Sequence, residues 1–378
     1  MSPVLSTLAD LVRINSINSS YEGGPGEAGL AAYVRHFFEQ RGIETWEQEV
    51  FPGRNNVIAR VPGRDPSRRV VFEAHMDTVS IKGMTIDPFD PVLKDGKMHG
   101  RGSVDDKAGL AAMMHAIADI HASDAKPPCE LWMAAVVDEE YSFRGVVKLC
   151  EDLHAHAAIV AEPTEMRCVI ASKGCVRWRI RTKGKAAHSA KPHLGINAIT
   201  AMARVVLAMQ EDHARLAASP HPLLGPGTCN VGVIKGGVQV NFVPDEAVIE
   251  IDRRLLPGEE VETVLAGYQA MLDGLKRQHP DVIAEMEKPM LQDWPFQTEA
   301  TSPLVTLSGD ILRSMQRDGT VCGVPFCSDA SKFGRLGIPT ILFGPGSIDQ
   351  AHAAVEYVEC SQVEEALRFY TEVARRFV

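Results

Sequence analysis

Val70-Val-Phe-Glu-Ala-His75-Met-Asp77-Thr78 begins as an apolar, β-branched run and ends abruptly in polar groups. Such a run suits a strand buried on both faces, as the strands of a parallel sheet are. Residues two apart on an extended chain point the same way, so His75 and Asp77 share one side of the strand end. A carboxylate beside an imidazole is how a metal-ligating histidine is oriented. Taken alone, a strand that simply stops in polar residues is the simpler account.

The neighbouring segments repeat the pattern. Glu130 to Val137 is a near-continuous apolar run that ends in Asp138-Glu139-Glu140. Ala157 to Ala161 is another, ending in Glu162-Pro163-Thr164. Helical spacing separates these runs, from Ala108 to about Ala122 and around Gly145 to Leu153. Upstream, Ser2 to Ile14 carries Leu5, Leu8, Leu11, Val12 and Ile14 on one helical face, and Glu27 to Arg41 forms a second amphipathic helix stopped by Gly42. Asn56 to Val61 reads as a further strand. Strand and helix in alternation predict an α/β fold with a mostly parallel sheet and helices on both faces. Sites in such sheets open beyond the carboxyl ends of the strands, where His75, Glu139, Glu140 and Glu162 fall.

From Cys175 to Thr182 the pattern changes. Val176, Trp178 and Ile180 alternate with Arg177, Arg179 and Arg181, the mark of a strand with one wet face. A helix from about Ile196 to Gln210, half-exposed strands at Cys229 to Ile234 and Ala247 to Asp252, and a helix from Glu259 to Arg277 complete a smaller α+β domain. Residues 174–288 are therefore expected to form an inserted domain, with 1–173 and 289–378 forming the larger one. The α/β pattern resumes near Leu304, with a buried strand at Thr340 to Phe343, then Gly344-Pro-Gly, His352 and a final helix from Ser361 to Phe377.

Composition narrows the function. The 378 residues are 45% hydrophobic and 23% charged, as in ordinary globular proteins. A net charge of −10 without basic runs argues against a nucleic-acid or anionic-membrane partner. No apolar stretch approaches the roughly 18 residues of a membrane span. The N-terminal Met1-Ser-Pro-Val-Leu-Ser6 has neither part of a signal peptide. Eight scattered cysteines include no CxxC pair, so the expectation is reduced thiols in a cytoplasmic protein.

Five groups at predicted strand ends and loops gain meaning together. Asp105 alone reads as a helix N-cap, Glu139-Glu140 as a solvated turn, Glu162 as a loop acid and His352 as a structural histidine. As one set they balance a two-metal site. Two divalent cations carry four positive charges, while Asp105, Glu140 and Glu162 carry three negative and two neutral histidines none. A bridging hydroxide balances the remaining charge. Two metals roughly 3.5–4 Å apart activate water and polarise a carbonyl. Oxygen and imidazole donors without thiolate suit zinc, with cobalt or manganese as alternatives.

Ala74-His75-Met-Asp77-Thr-Val, Gly100-Arg-Gly-Ser-Val-Asp105-Asp-Lys, Val137-Asp-Glu139-Glu140, Ala161-Glu162-Pro-Thr and Ala351-His352 occur in the order found in the dinuclear zinc aminoacylase and carboxypeptidase superfamily. The chain most resembles its acetylornithine deacetylase and succinyl-diaminopimelate desuccinylase branch. The resemblance implies that His75 and Glu162 hold one metal and Glu140 and His352 the other, with Asp105 bridging. It makes Asp77 the group that orients His75, and Glu139 the general base that takes a proton from the bridging water and passes it to the leaving amine. It implies removal of an acyl group from an N-acyl amino acid, or cleavage of a dipeptide or C-terminal residue at the same site.

The inserted domain would then be a lid that also forms a homodimer. Gly184-Lys-Ala-Ala-His188 resembles the family's lid motif, whose histidine reaches across the dimer to an oxyanion. Gly236-Gly-Val-Gln-Val-Asn241 and Ile251-Asp-Arg253-Arg254 match lid segments. One of the two arginines grips the substrate carboxylate by its planar fork, and Arg254 is preferred, although strand position alone does not choose. Lys173, Asn241 and Ser328 are further expected substrate contacts. The chain departs from the family pattern at Tyr141-Ser-Phe-Arg-Gly145 and at Phe326-Cys327-Ser328-Asp329, which bears on substrate rather than chemistry.

Overall fold

A computed structural model describes residues 1–378, which divide into two compact units. The first comprises residues 1–170, 297–322 and 328–378, and the second residues 171–296 and 323–327.

In the first unit, four strands run parallel: Cys129–Val136, Asp65–His75, Ala157–Val160 and Thr340–Leu342, in that spatial order. The Val70–Ala74 segment is fully buried, which explains its unbroken apolar sequence. The sheet grows antiparallel at one edge, through Arg54–Val61 and then Glu44–Phe51. The outermost of these strands was not expected: Glu44-Thr-Trp-Glu-Gln-Glu is too polar to read as sheet, and pairing along one edge is what makes it a strand. The helices Lys107–His121 and Cys360–Arg376 pack together over one face. Phe343 stacks on Phe369 with ring centroids 3.7 Å apart, and Tyr370 donates to the Phe343 carbonyl at 2.5 Å. Each such fully buried aromatic is worth about 1.5–3 kcal/mol over exposure. The strand after Phe343 turns close to its neighbour: a Cβ on Gly344 would lie 2.6 Å from the Glu162 carbonyl oxygen. A side chain there would push apart two ends that carry site residues.

The second unit is a sheet of Thr228–Gly236, Glu246–Leu255, Gly174–Lys183 and Ile283–Met286, all antiparallel. Two helices, Ala198–Ala217 and Val261–Gln278, cover one face over Trp178, Ile180, Ile249 and Ile251. The other face is wet and laced with ion pairs. Arg177 meets Asp252 at 2.7 Å and Arg179 meets Glu250 at 2.9 Å, both directly opposed in strand register. No helix in the chain is long and apolar enough to cross a membrane.

Candidate metal centre

All four parallel strands end on the same side of the sheet, and the chain beyond each end supplies donors. His75 closes its strand. Its Nδ1 is 3.0 Å from the backbone carbonyl of Asp77, which leaves Nε2 facing Asp105 Oδ1 at 2.9 Å. The other oxygen of Asp105 lies 3.2 Å from His352 Nε2, and that nitrogen is also 3.2 Å from Glu140 Oε1. One carboxylate therefore presents each of its oxygens to a different imidazole. The donor atoms of Asp105, Glu140 and His352 lie within 4.8 Å of one another. His352 adopts a left-handed backbone conformation, φ 59°, unusual for a non-glycine residue and typical of constrained functional positions.

The electrostatics of these groups are those of a cation site. Burial, followed by the charge of Asp105, pushes the Glu140 carboxyl up to about 7. Burial and the Asp105 charge likewise hold Glu162 well above the carboxylate range. Burial raises Glu139 too, reinforced by Glu162, Asp329 and Glu140. Burial opposes ionisation of Asp105, yet hydrogen bonds from His352 and His75 hold it well below the usual range. Hydrogen bonds to Asp105 and Glu140 push His352 up to about 10. Buried carboxylates crowded this closely are destabilised unless protons or cations neutralise them. Oxygen and imidazole donors of this kind fit divalent metals, zinc first among them.

Asp77 differs from the expectation. The imidazole is held by its backbone carbonyl, while its carboxylate Oδ1 stands 3.6 Å from Nδ1, beyond hydrogen-bond length. The carboxylate instead accepts from the backbone N–H groups of Glu139 at 3.0 Å and Glu140 at 3.1 Å, and from Asn18 Nδ2 at 2.8 Å. Three donors outcompete one ring nitrogen. Asp77 thus pins the backbone that carries both acids. Asp105 is not the helix cap either, since that position belongs to Asp106.

Sequence reasoning missed the groups that hold this frame. Arg101 pairs with buried Glu356, whose Oε1 accepts from the backbone N–H of Val104 at 3.1 Å and of Asp105 at 3.4 Å. Glu27 and Arg54 pair at 2.6 Å and bring Arg54 within 3.2 Å of Asp138. Tyr21 donates to the Glu140 carbonyl at 3.0 Å. Buried charged residues far apart in sequence were the only available signal, and burial is not legible from sequence.

The chain's similarities to known proteins agree with this frame. The pattern of peptidase family M20/M25/M40 matches residues 71–376. The chain belongs to that family. Its members are metal-dependent hydrolases of amides, with dinuclear centres. An acetylornithine deacetylase from Aliivibrio fischeri is 27% identical over 385 residues, covering 95% of this chain and 94% of that protein. A probable carboxypeptidase from Aspergillus terreus is 29% identical, covering 98% and 86%. In fold, the aminopeptidase PepT from Bacillus cereus superposes with a TM-score of 0.82 at 22% identity, over 98% of this chain and 97% of that one.

The remaining predicted site residues lie elsewhere. Ser328 belongs to the first unit, fully buried, with its hydroxyl unbonded to protein. Lys173, His188, Asn241 and Arg254 belong to the second unit. His188 is exposed on a short strand whose partner, Phe242–Val243, follows Asn241, and its Nδ1 accepts from the Ala190 N–H at 3.1 Å. Lys173 Nζ donates to the Pro226 carbonyl at 2.6 Å, and burial and the nearby Arg254 and Arg253 lower its pKa. The two adjacent arginines face opposite ways. Arg253 is buried to 2% exposure and ion-paired with Glu259, whereas Arg254 is 27% exposed on the wet face beside Asp252.

Proposed function

We propose that this M20 enzyme is a deacylase that removes the acyl group from N-acyl amino acids or related small amides carrying a carboxylate. The observation that carries the site assignment is the Asp105 carboxylate, with one oxygen facing His75 and the other His352. That arrangement supports His75 and Glu162 as donors to one divalent ion, Glu140 and His352 as donors to the other, and Asp105 as the bridge. When bound, two such ions acidify a water and polarise the scissile carbonyl. Glu139, adjacent to the donor Glu140 but with no hydrogen bond from His352, takes a proton from the attacking water and delivers it to the leaving amine. Asp77 fixes that loop through its two backbone N–H groups. Zinc is the expected metal, with cobalt or manganese as substitutes. Arg254 anchors the substrate carboxylate, because Arg253 is already committed to Glu259. Lys173, Asn241 and Ser328 are supporting contacts.

We further propose a cytoplasmic homodimer through the second unit, with His188 of one protomer supplying an oxyanion donor to its partner. Exposed Ile234, Val238, Val240 and Phe242 on that unit support it, since exposed apolar clusters mark protein interfaces. A dipeptidase or carboxypeptidase reading rests on the similarity to the Aspergillus terreus protein. The deciding experiment assays zinc-loaded protein on N-acetyl and N-succinyl amino acids beside dipeptides. Faster hydrolysis of dipeptides across the panel sinks the deacylase reading. Mixing H188A with E139A chains tests the dimer: activity regained in mixed dimers supports action in trans, and none despite subunit exchange rejects it.

A further inference from the structure

On the wet face of the second unit, two thiols border one ion pair. Cys175 stands directly opposite Arg254 in strand register, and its Sγ lies 3.6 Å from Asp252 Oδ2. Arg254 bonds Asp252 through Nε at 2.7 Å and Nη2 at 3.3 Å, and its Nη1 lies 3.8 Å from Cys327 Sγ. Cys327 arrives on the 323–327 segment, which is part of the same unit although distant in sequence. The two sulfurs are hydrogen-bonded to each other. That contact, aided by the Arg254 and Arg177 guanidinium groups, lowers the Cys175 thiol, while the same contact and burial raise Cys327. One sulfur is thus poised as thiolate beside a second that retains its proton.

The other neighbouring cysteines make the contrast. Cys168 and Cys322 also approach each other, Cys322 Sγ lying 3.7 Å from the Cys168 carbonyl. Burial pushes Cys168 up to about 12 and raises Cys322. No arginine ion pair borders Cys168, and a buried thiol without a cation is inert.

We propose that Cys175 and Cys327 are a redox-active dithiol, oxidised to a disulfide by a small hydroperoxide, and that the disulfide weakens the grip of Arg254 on substrate. The Cys175 thiolate attacks the peroxide: an S–O bond forms, the O–O bond breaks, and the departing hydroxide takes a proton to leave as water. Cys327 then attacks the Cys175 sulfenic acid. The S–S bond forms, the S–O bond breaks, and the hydroxyl leaves as water with the Cys327 proton. Two thiols lose two electrons and the peroxide gains them. Because Cys175 is fully buried, only a small oxidant reaches it. Closing the sulfurs to about 2 Å draws Cys327 from the Arg254 guanidinium and leaves that arginine to Asp252. The effect on substrate rests on the assignment of Arg254 as carboxylate anchor, whereas the dithiol itself does not.

The test uses the full-length, zinc-loaded protein treated with hydrogen peroxide, followed by intact mass and non-reducing peptide mapping. The expected product is lighter by two hydrogen atoms, carries a single Cys175–Cys327 cross-link, and reverts with a phosphine reductant. KM for an N-acetyl amino acid rises about tenfold at retained kcat, the size of one charge-assisted hydrogen bond. In C327S the expected species is a Cys175 sulfenic acid trapped by dimedone. Absence of the cross-link in wild-type protein, or its appearance at Cys168–Cys322 instead, overturns the proposal without recourse to any variant. A reversible cross-link with KM unchanged upholds the dithiol and counts against Arg254 as the anchor.

Discussion

Acidic side chains serve opposite ends in the two units. On the sheet of the second unit, each acid faces a base across the strands: Asp252 and Arg177, Glu250 and Arg179, Glu285 and Lys183 at 2.7 Å. At the strand ends of the first unit, Glu139, Glu140 and Glu162 crowd together without an arginine or lysine, and burial raises the pKa of each. The paired acids are solvated and carry little energy individually. The crowded ones are costly unless a cation arrives, which makes that cost a signature of function. Neighbours, not residue type, separate a structural acid from a metal ligand.

The largest expected effect that tests this contrast is at the proposed base. Glu139→Ala should cut kcat by about 10²–10⁴-fold, with bound metal unchanged by elemental analysis. Parent-rate turnover by that variant rejects the assignment. Metal affinity should also follow the protons it displaces. His352 titrates at about 10 without metal and Glu140 at about 7, so loading releases one proton at mildly alkaline pH and a second below neutrality. Affinity should therefore fall as pH drops, by about tenfold per pH unit per proton displaced, and more steeply below neutral pH. Competition with a chromogenic chelator across pH measures the slope, and a flat profile contradicts it.

The supporting groups sharpen the contrast at smaller scale. Glu356→Gln removes the charge that pairs with Arg101 and receives the Asp105 N–H. Metal affinity should fall about 10–100-fold, and Tm should drop as Arg101 is left buried and uncompensated. Arg254→Lys should raise KM about tenfold with little change in kcat, because a point charge cannot replace a bidentate fork. At the small end, a double-mutant cycle on Arg179 and Glu250 should give a coupling below about 1 kcal/mol. A coupling of several kcal/mol there would erase the distinction between the two acid environments.

Much of this was legible from residue order. Strict alternation from Val176 to Arg181 and the apolar runs before His75, Glu139 and Glu162 gave the sheet type and the side on which donors emerge. Both are consequences of the period-two geometry of a strand. The donor types, oxygen and nitrogen without sulfur, were likewise fixed by composition at those positions. Pairings between distant residues were not legible. That Asp105 splits its oxygens between two imidazoles, that Asp77 holds the Glu139–Glu140 backbone instead of the His75 ring, and that Glu356 anchors the Asp105 loop from 251 positions away all depend on packing. So does the division between Arg253 and Arg254, which sequence left open because neighbours on a strand differ only in face. Local periodicity is a property of the backbone and can be read from the chain; which group satisfies which buried charge is decided only when the strands come together and water is excluded.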